Sequence, residues 1–262
     1  MPVGYLGPPR LKRLLAGDRP LLGMWLTTRD PFFIETAAYV GYDVLLIDAE
    51  HVPLTMRDVE DMLIAIQGSP AVPIVRMPWN DQVAIKQVLD LGVEGMVVPM
   101  VSSADDARRL VSYARYPPAG IRGIGPRRAQ HFTGDPWSYA GAANEEIVCL
   151  IPQIEHIDAV NAIEEICGVA GLDGLFLGPS DLSLSMGVPG GYDHPDFVAA
   201  RDRLWEASRR HGLPLAVATV SIEDAAMWID RGARIVFSGA DIGHMVAGAR
   251  RTLDELRRLR GE

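Results

Sequence analysis

Cysteine is scarce: Cys149 and Cys167 are the only two in the chain. That is too few for a disulfide scaffold or a thiolate zinc cluster. Lysine is equally scarce, since only Lys12 and Lys86 stand among 25 basic residues. Basic charge is short overall. Asp plus Glu number 34 and the formal net charge is −9, which argues against a general nucleic-acid binder with its basic footprint. No apolar run approaches the roughly 18–20 residues of a membrane-spanning helix. The first residues, MPVGYLGPPRLKRLLAG, lack the unbroken apolar core of a secretion signal. There is no G-x-S-x-G, no P-loop, no H-E-x-x-H, and no G-x-G-x-x-G after the first apolar run. The expectation is a cytoplasmic protein with no nucleic-acid or membrane partner.

What is present is core. Hydrophobic residues make up 48% of 262, enough to bury a sizeable interior. Eight short aliphatic runs recur at 21–28, 43–50, 72–78, 95–100, 147–155, 174–179, 214–220 and 234–241. Near-continuous apolar strands are what a buried parallel sheet requires. Between the runs lie amphipathic stretches, several of which open on Asp or Ser and close on Gly, the usual helix start and stop chemistry. The last stretch, IGHMVAGARRTLDELRRLR, reads as an eighth helix. Eight even units without a composition break favour one α/β domain over 1–262, a (β/α)8 TIM barrel, ahead of a doubly wound open sheet. One connection, 117–146, is long and carries Arg122, Arg127 and Arg128. It either closes over an anionic substrate or is a solvated basic loop.

Barrel chemistry sits at the C-terminal ends of the strands. Polar residues there are Asp48, Glu50 and His51 after strand 2, Arg76 on strand 3 and Gln153 with Glu155 on strand 5. Ser180 and Asp181 follow strand 6, Thr219 ends strand 7, and Ser238 and Asp241 end strand 8. Gln153 and Glu155, two apart, share a strand face. Neighbouring strands are roughly 5 Å apart, so Glu155 and Asp181 can share one hard divalent cation; the alternative is that each caps the helix that follows. His51 suits a general base or a structural hydrogen bond. Arg76 is suited to a substrate carboxylate or oxyanion, or to an ion pair with Asp48 or Glu50. Asp90, late in the third helix, pairs with Lys86 in the plainer reading; its helix ends on the face opposite the site, so a catalytic Asp90 would act across a subunit interface. A Schiff-base lysine belongs on a barrel strand, and neither lysine lies on one.

These segments form a recognisable series. It runs Asp48-Ala49-Glu50-His51, Arg76 with Trp79-Asn80-Asp81, Ile85 to Asp90, Val98-Pro99-Met100, Arg115-Tyr116-Pro117-Pro118 into Gly120-Ile121-Arg122-Gly123, Gln153-Ile154-Glu155, and Gly178 to Ser183. Together they resemble the HpcH/HpaI family of metal-dependent class II pyruvate aldolases. The resemblance spans about residues 20–245. It implies a (β/α)8 barrel, commonly a homohexamer with the last helix exchanged between neighbours. It implies a Mg2+, Mn2+ or Co2+ ion on Glu155 and Asp181, chelated by pyruvate, and an aldehyde as second substrate. Ser180 and Asp181 would receive the pyruvate carboxylate and Gln153 would bond in the pocket. His51 would be the base, Arg76 would stabilise the enolate oxygen, and Asp90 would raise the basicity of His51. Ala49, where Gly is common, and strand 7 depart from better-known members and leave the aldehyde open. The rival readings are a CoA-ester lyase of the citrate-lyase β type and a non-catalytic barrel that binds 2-oxo acids.

Overall fold

The structure, a computed structural model, describes residues 9–261; residues 1–8, half of the stretch read for a secretion signal, lie outside them. Among the described residues the strands are β1 (Leu21–Leu26), β2 (Val44–Asp48), β3 (Val72–Arg76), β4 (Gly95–Val98), β5 (Cys149–Ile154), β6 (Leu175–Leu177), β7 (Leu215–Thr219) and β8 (Ile235–Ala240). Each falls inside one of the eight apolar runs. They pair in parallel, in sequence order, and β8 returns to β1, so the sheet closes. The expected (β/α)8 barrel is the observed architecture.

The helices are α1 (Leu11–Leu15), α2 (Pro31–Ala38), α3 (Met56–Ile66), α4 (Gln82–Asp90), α5 (Ala104–Ala114), α6 (Pro136–Ala142), α7 (Ile157–Asn161), α8 (Ile163–Cys167), α9 (Pro179–Ser185), α10 (Pro195–His211), α11 (Ile222–Arg231) and α12 (Asp241–Arg260). Their caps follow the sequence chemistry. Asp81, Ser103 and Ser221 each accept a backbone N–H of the first turn with their side chains. Apolar side chains pointing inward fill the barrel, with Val44, Leu46, Ile74, Ile151 and Phe237 among them. Those pointing outward pack under the helices. Leu11 of α1 plugs the N-terminal mouth. The plug is fastened by buried Glu94, which accepts from the N–H groups of Arg10 at 2.6 Å and Leu11 at 2.8 Å.

The long 117–146 connection does not cover the strand-end face. It joins a helix to a strand, so it runs along the N-terminal face. Its backbone and side chains bind there: Ile121 N–H to the Ser112 carbonyl at 2.8 Å and Ala129 N–H to the Asp90 carbonyl at 3.2 Å. Nor is it a solvated basic loop throughout. Arg122 is buried against Asp90 at 2.6 Å and Arg128 is buried against the Leu91 carbonyl.

The seam between β8 and β1 is locked by Asp241, which is 2% exposed. Its carboxylate accepts from the N–H and hydroxyl of both Thr27 and Thr28, at 2.5–3.0 Å, and from Ile242 N–H at 2.8 Å. This strand-8 acid is therefore a structural clasp rather than a site group. Burial pushes its pKa up, but these donors outweigh burial and hold it below the usual carboxylate range. Beyond Asp241, α12 buries no residue completely, and Leu253, Leu256 and Leu259 are exposed.

A depressed folded-state pKa contributes stability above the unfolded carboxylate value and loses it as the pH falls through the folded value. Asp241→Ala should therefore cost about 2–4 kcal/mol at pH 7, in the range of a lost charged hydrogen-bond network. The gap from wild type should narrow on acidification towards pH 3. Urea unfolding of both proteins at the two pH values measures this; an equal gap at both would show that the charge is not what holds the seam.

Candidate active site

The register of β2 and β3 sets Asp48 beside Arg76. Arg76 donates from Nε to Asp48 Oδ1 at 3.0 Å and from Nη2 to Oδ2 at 2.7 Å, the two-pronged geometry that suits guanidinium and carboxylate. Its Nη1 lies 3.1 Å from Glu50 Oε2. Its flat face rests 4.3 Å from the centre of the Trp25 ring. The ion-pair alternative for Arg76 is thus realised, with both acids at once. Asp48 Oδ1 also accepts the N–H groups of Glu50 and His51, at 3.1 and 3.3 Å, and so turns the chain outward after the strand. His51 follows with its side chain 61% exposed and Nε2 3.8 Å from Glu50 Oε2.

Glu155, at the end of β5, is buried. Gln153 donates its side-chain amide to one oxygen and the Met100 N–H donates to the other at 2.7 Å. Met100 holds a left-handed φ of +54° to present that N–H. A non-glycine residue there carries local strain, which the surrounding fold must hold in place. Gly178 gives Glu155 its room, because a Cβ at 178 would meet Glu155 Cβ at 2.9 Å and Oε2 at 3.1 Å. Asp181 stands in the first turn of α9, whose N-cap is Gly178, and the cap of α7 is His156. Neither Glu155 nor Asp181 is therefore used as an N-cap.

His51, Arg76, Gln153, Ser180 and Asp181 line one cavity of about 290 Å3, walled by Trp25, Phe176, Pro179 and Ala218. Glu155 lies at its edge, against Gly178. Electrostatics there are lopsided. Asp48, Glu50, Glu155 and Asp181 act on one another while, among the described residues, Arg76 is the guanidinium that answers them. Burial, with the charges of Glu155, Asp48 and Asp181 adding to it, overcomes Arg76 and lifts Glu50 to about 7. Burial likewise raises Glu155, assisted by Asp181 and opposed by Gln153, Met100 and Arg76. Such a set invites a hard divalent cation. No group of three or more His, Cys, Asp or Glu among the described residues is arranged around a metal position. An ion taken by Glu155 and Asp181 would thus keep most of its coordination open.

Other candidates lie elsewhere. Asp90 sits on the far end of α4, and its ion pair is with Arg122 rather than with Lys86. The single chain does not bring it to His51. Thr219 spends its hydroxyl on the Phe237 carbonyl at 3.0 Å. Sequence reasoning missed Trp25 and Phe176 as walls; their inward place on strand ends was the available signal. It also missed the Met100 amide, for which side-chain identity gives no sign.

Residues 21–247 match the HpcH/HpaI aldolase/citrate lyase family. A 4-hydroxy-2-oxo-heptane-1,7-dioate aldolase of Escherichia coli is 40% identical over 232 residues, covering 88% of each chain. The crystal structure of an HpcH/HpaI aldolase/citrate lyase family protein from Burkholderia cenocepacia superposes with a TM-score of 0.89 at 35% identity, over 94% of this chain and 98% of that one. A citrate synthase, SbnG, superposes with a TM-score of 0.87 at 28% identity, over 96% and 99%. The chain belongs to the HpcH/HpaI aldolase/citrate lyase family.

Proposed function

We propose that this protein is a metal-dependent class II aldolase. It reversibly cleaves 4-hydroxy-2-oxo acids into pyruvate, or a related 2-oxo acid such as hydroxypyruvate, and an aldehyde. The observation that carries the reading is the charge imbalance: four carboxylates meet one guanidinium at the mouth of an apolar barrel. Glu155 and Asp181 would hold the ion, Mg2+, Mn2+ or Co2+. When bound, the ion supplies positive charge to the carboxylate and keto oxygens of the 2-oxo acid.

The chain's own groups do the rest. Ser180 and the first-turn amides of α9, which have no intrahelical acceptor, receive the substrate carboxylate. Gln153 fixes Glu155 from inside the cavity. His51, exposed at the rim, takes a proton from the methyl carbon. The electron pair left behind forms the C2–C3 double bond, and negative charge collects on the keto oxygen. Arg76 is held flat and rigid between Trp25 and Asp48, so it stabilises that oxygen with little reorganisation. The enolate carbon then attacks the aldehyde carbonyl, a C–C bond forms, and the alkoxide takes a proton. Cleavage is the reverse.

Asp90 enters this reading through assembly, supporting His51 of the partner subunit. A homohexamer in which α12 is exchanged between neighbours would also cover its exposed leucines. The protein works as one domain over 1–262, in the cytoplasm. A barrel that only binds 2-oxo acids has no use for an exposed base beside Arg76. A CoA-ester or other lyase would use a different donor, which the first experiment below separates.

Exchange of the pyruvate methyl protons with deuterium, followed by NMR, tests the enolisation half-reaction without a choice of aldehyde. Exchange should occur with Mn2+, Mg2+ or Co2+, stop on chelation and return with metal; metal-independent exchange, or none with any ion, would sink the proposal. Arg76→Ala should slow exchange on the order of 10²-fold or more, and wild-type turnover in that variant would remove Arg76 from the mechanism. Because the folded-state pKa of Glu50 lies near 7, its ionisation weakens the metal-free fold as the pH rises from about 4.5 to 7. Added Mn2+ should then raise the melting temperature more at pH 7.5 than at pH 5.5; Glu50→Gln should shrink that difference, and thermal scans at both pH values read it directly.

A further inference from the structure

The turn after α9, residues 186–194, is built to deliver one side chain. Gly187 and Gly190 adopt left-handed φ values of +75° and +71°, which fold the segment back on itself. Fully buried Ser183 fastens it. Its carbonyl accepts from Val188 N–H at 2.9 Å, its hydroxyl accepts from Gly190 N–H at 3.1 Å, and that hydroxyl donates to the Ser180 carbonyl at 2.8 Å. The ring of Tyr192 emerges from this turn and is braced edge-on by Phe197, with centroids 5.6 Å apart. It borders a recess that shares Pro179 and Ala218 with the candidate cavity. Its hydroxyl lies 3.4 Å from Ser180 Oγ, a loose contact.

We propose that Tyr192 is a positioning residue that sets the direction of the Ser180 hydroxyl towards a substrate carboxylate. The proposal rests on the function given above. A serine hydroxyl has one proton and two lone pairs. If Ser180 donated to Tyr192, it would turn only lone pairs towards an anion, which repels them. A phenol is the stronger acid of the two, so it is the natural donor. With Tyr192 donating to Ser180, the serine proton is left to point into the cavity. The chain phenol–hydroxyl–carboxylate is cooperative, each bond polarising the next. The 3.4 Å contact then tightens when the anion arrives, as hydrogen bonds at sites commonly do on ligand binding. The ring serves a second end: held by Phe197, the hydroxyl is presented at little entropic cost.

The test measures pyruvate binding in the presence of Mn2+ by calorimetry, and methyl-proton exchange by NMR, for wild type, Tyr192→Phe, Ser180→Ala and the double variant. Tyr192→Phe keeps the ring on Phe197, so the melting temperature should stay where it is. Its Kd and KM for pyruvate should rise about three- to tenfold, the worth of one hydrogen bond, with kcat for exchange within about twofold of wild type. In the Ser180→Ala background the same substitution should have no further effect, because the tyrosine acts through the serine. Wild-type binding by Tyr192→Phe, or penalties that simply add in the double variant, would overturn the assignment while leaving the aldolase reading intact. Failure of the wild-type protein to bind pyruvate with metal would overturn the aldolase reading and the assignment with it.

Discussion

The arrangement at the strand ends turns on one arginine. Arg76 is almost wholly inside the protein, yet it is spoken for on three sides: by Asp48 along its edge, by Glu50 at its remaining nitrogen and by the Trp25 face beneath it. A buried guanidinium without partners would be expensive, and a single carboxylate would leave donors idle. Asp48 meets that need and also accepts the amides of Glu50 and His51. The same carboxylate thus turns the chain and aims the histidine outward. Removing either member of the Arg76–Asp48 pair would leave a buried charge, and removing Asp48 would also release the turn that carries His51.

The two ends of the barrel treat polar groups differently. At the N-terminal end, Glu94 is fastened to backbone amides and Arg115 to the carbonyls of Ala143, Val148 and Gly171 and to Asp173. Charge there is answered by hydrogen bonds from elements distant in sequence, so it ties the first helix and the connections around β5 to the sheet. At the C-terminal end, acids accumulate beyond what Arg76 can neutralise, and burial raises Glu50 and Glu155. Met100 adds a strained backbone amide for Glu155. Such local costs are where a fold departs from its own stability optimum in favour of a site.

The barrel was legible because its strands are largely buried on both faces and therefore read as near-continuous apolar runs, from LLGMWL to IVFSGA. The residues at their ends followed, since a strand's direction fixes which end faces the site. His51, Arg76, Gln153, Ser180 and Asp181 consequently meet in one cavity. What escaped depends on contacts between elements far apart. For the 117–146 connection the glycines and arginines allowed either closure over an anionic substrate or a solvated basic loop, although a helix-to-strand link must lie on the other face. Arg122 gave no sign that it would be buried against Asp90. Asp241 looked like a site acid because it ends a strand, and only the two threonines that follow β1 show that its oxygens are taken.

Tyr192 belongs to the same class of hidden residue. It lies eleven positions beyond Asp181, outside every strand end, in a turn whose sequence reads as ordinary loop. Yet Ser183, one step along the same helix face from Ser180, anchors that turn by backbone bonds. The helix that begins at Pro179 therefore does two things with neighbouring turns. Its first residues line the cavity, and its next buried serine fixes the loop that returns a phenol to them. A loop tied in this way to the element that carries Ser180 and Asp181 must move with them. Its side chains can then tune the site while its length and tip sequence remain free of the barrel's packing demands. For a fold whose reaction is set by strand ends, that coupling is a physical route by which related chains can keep one half-reaction and differ in the substrate they accept.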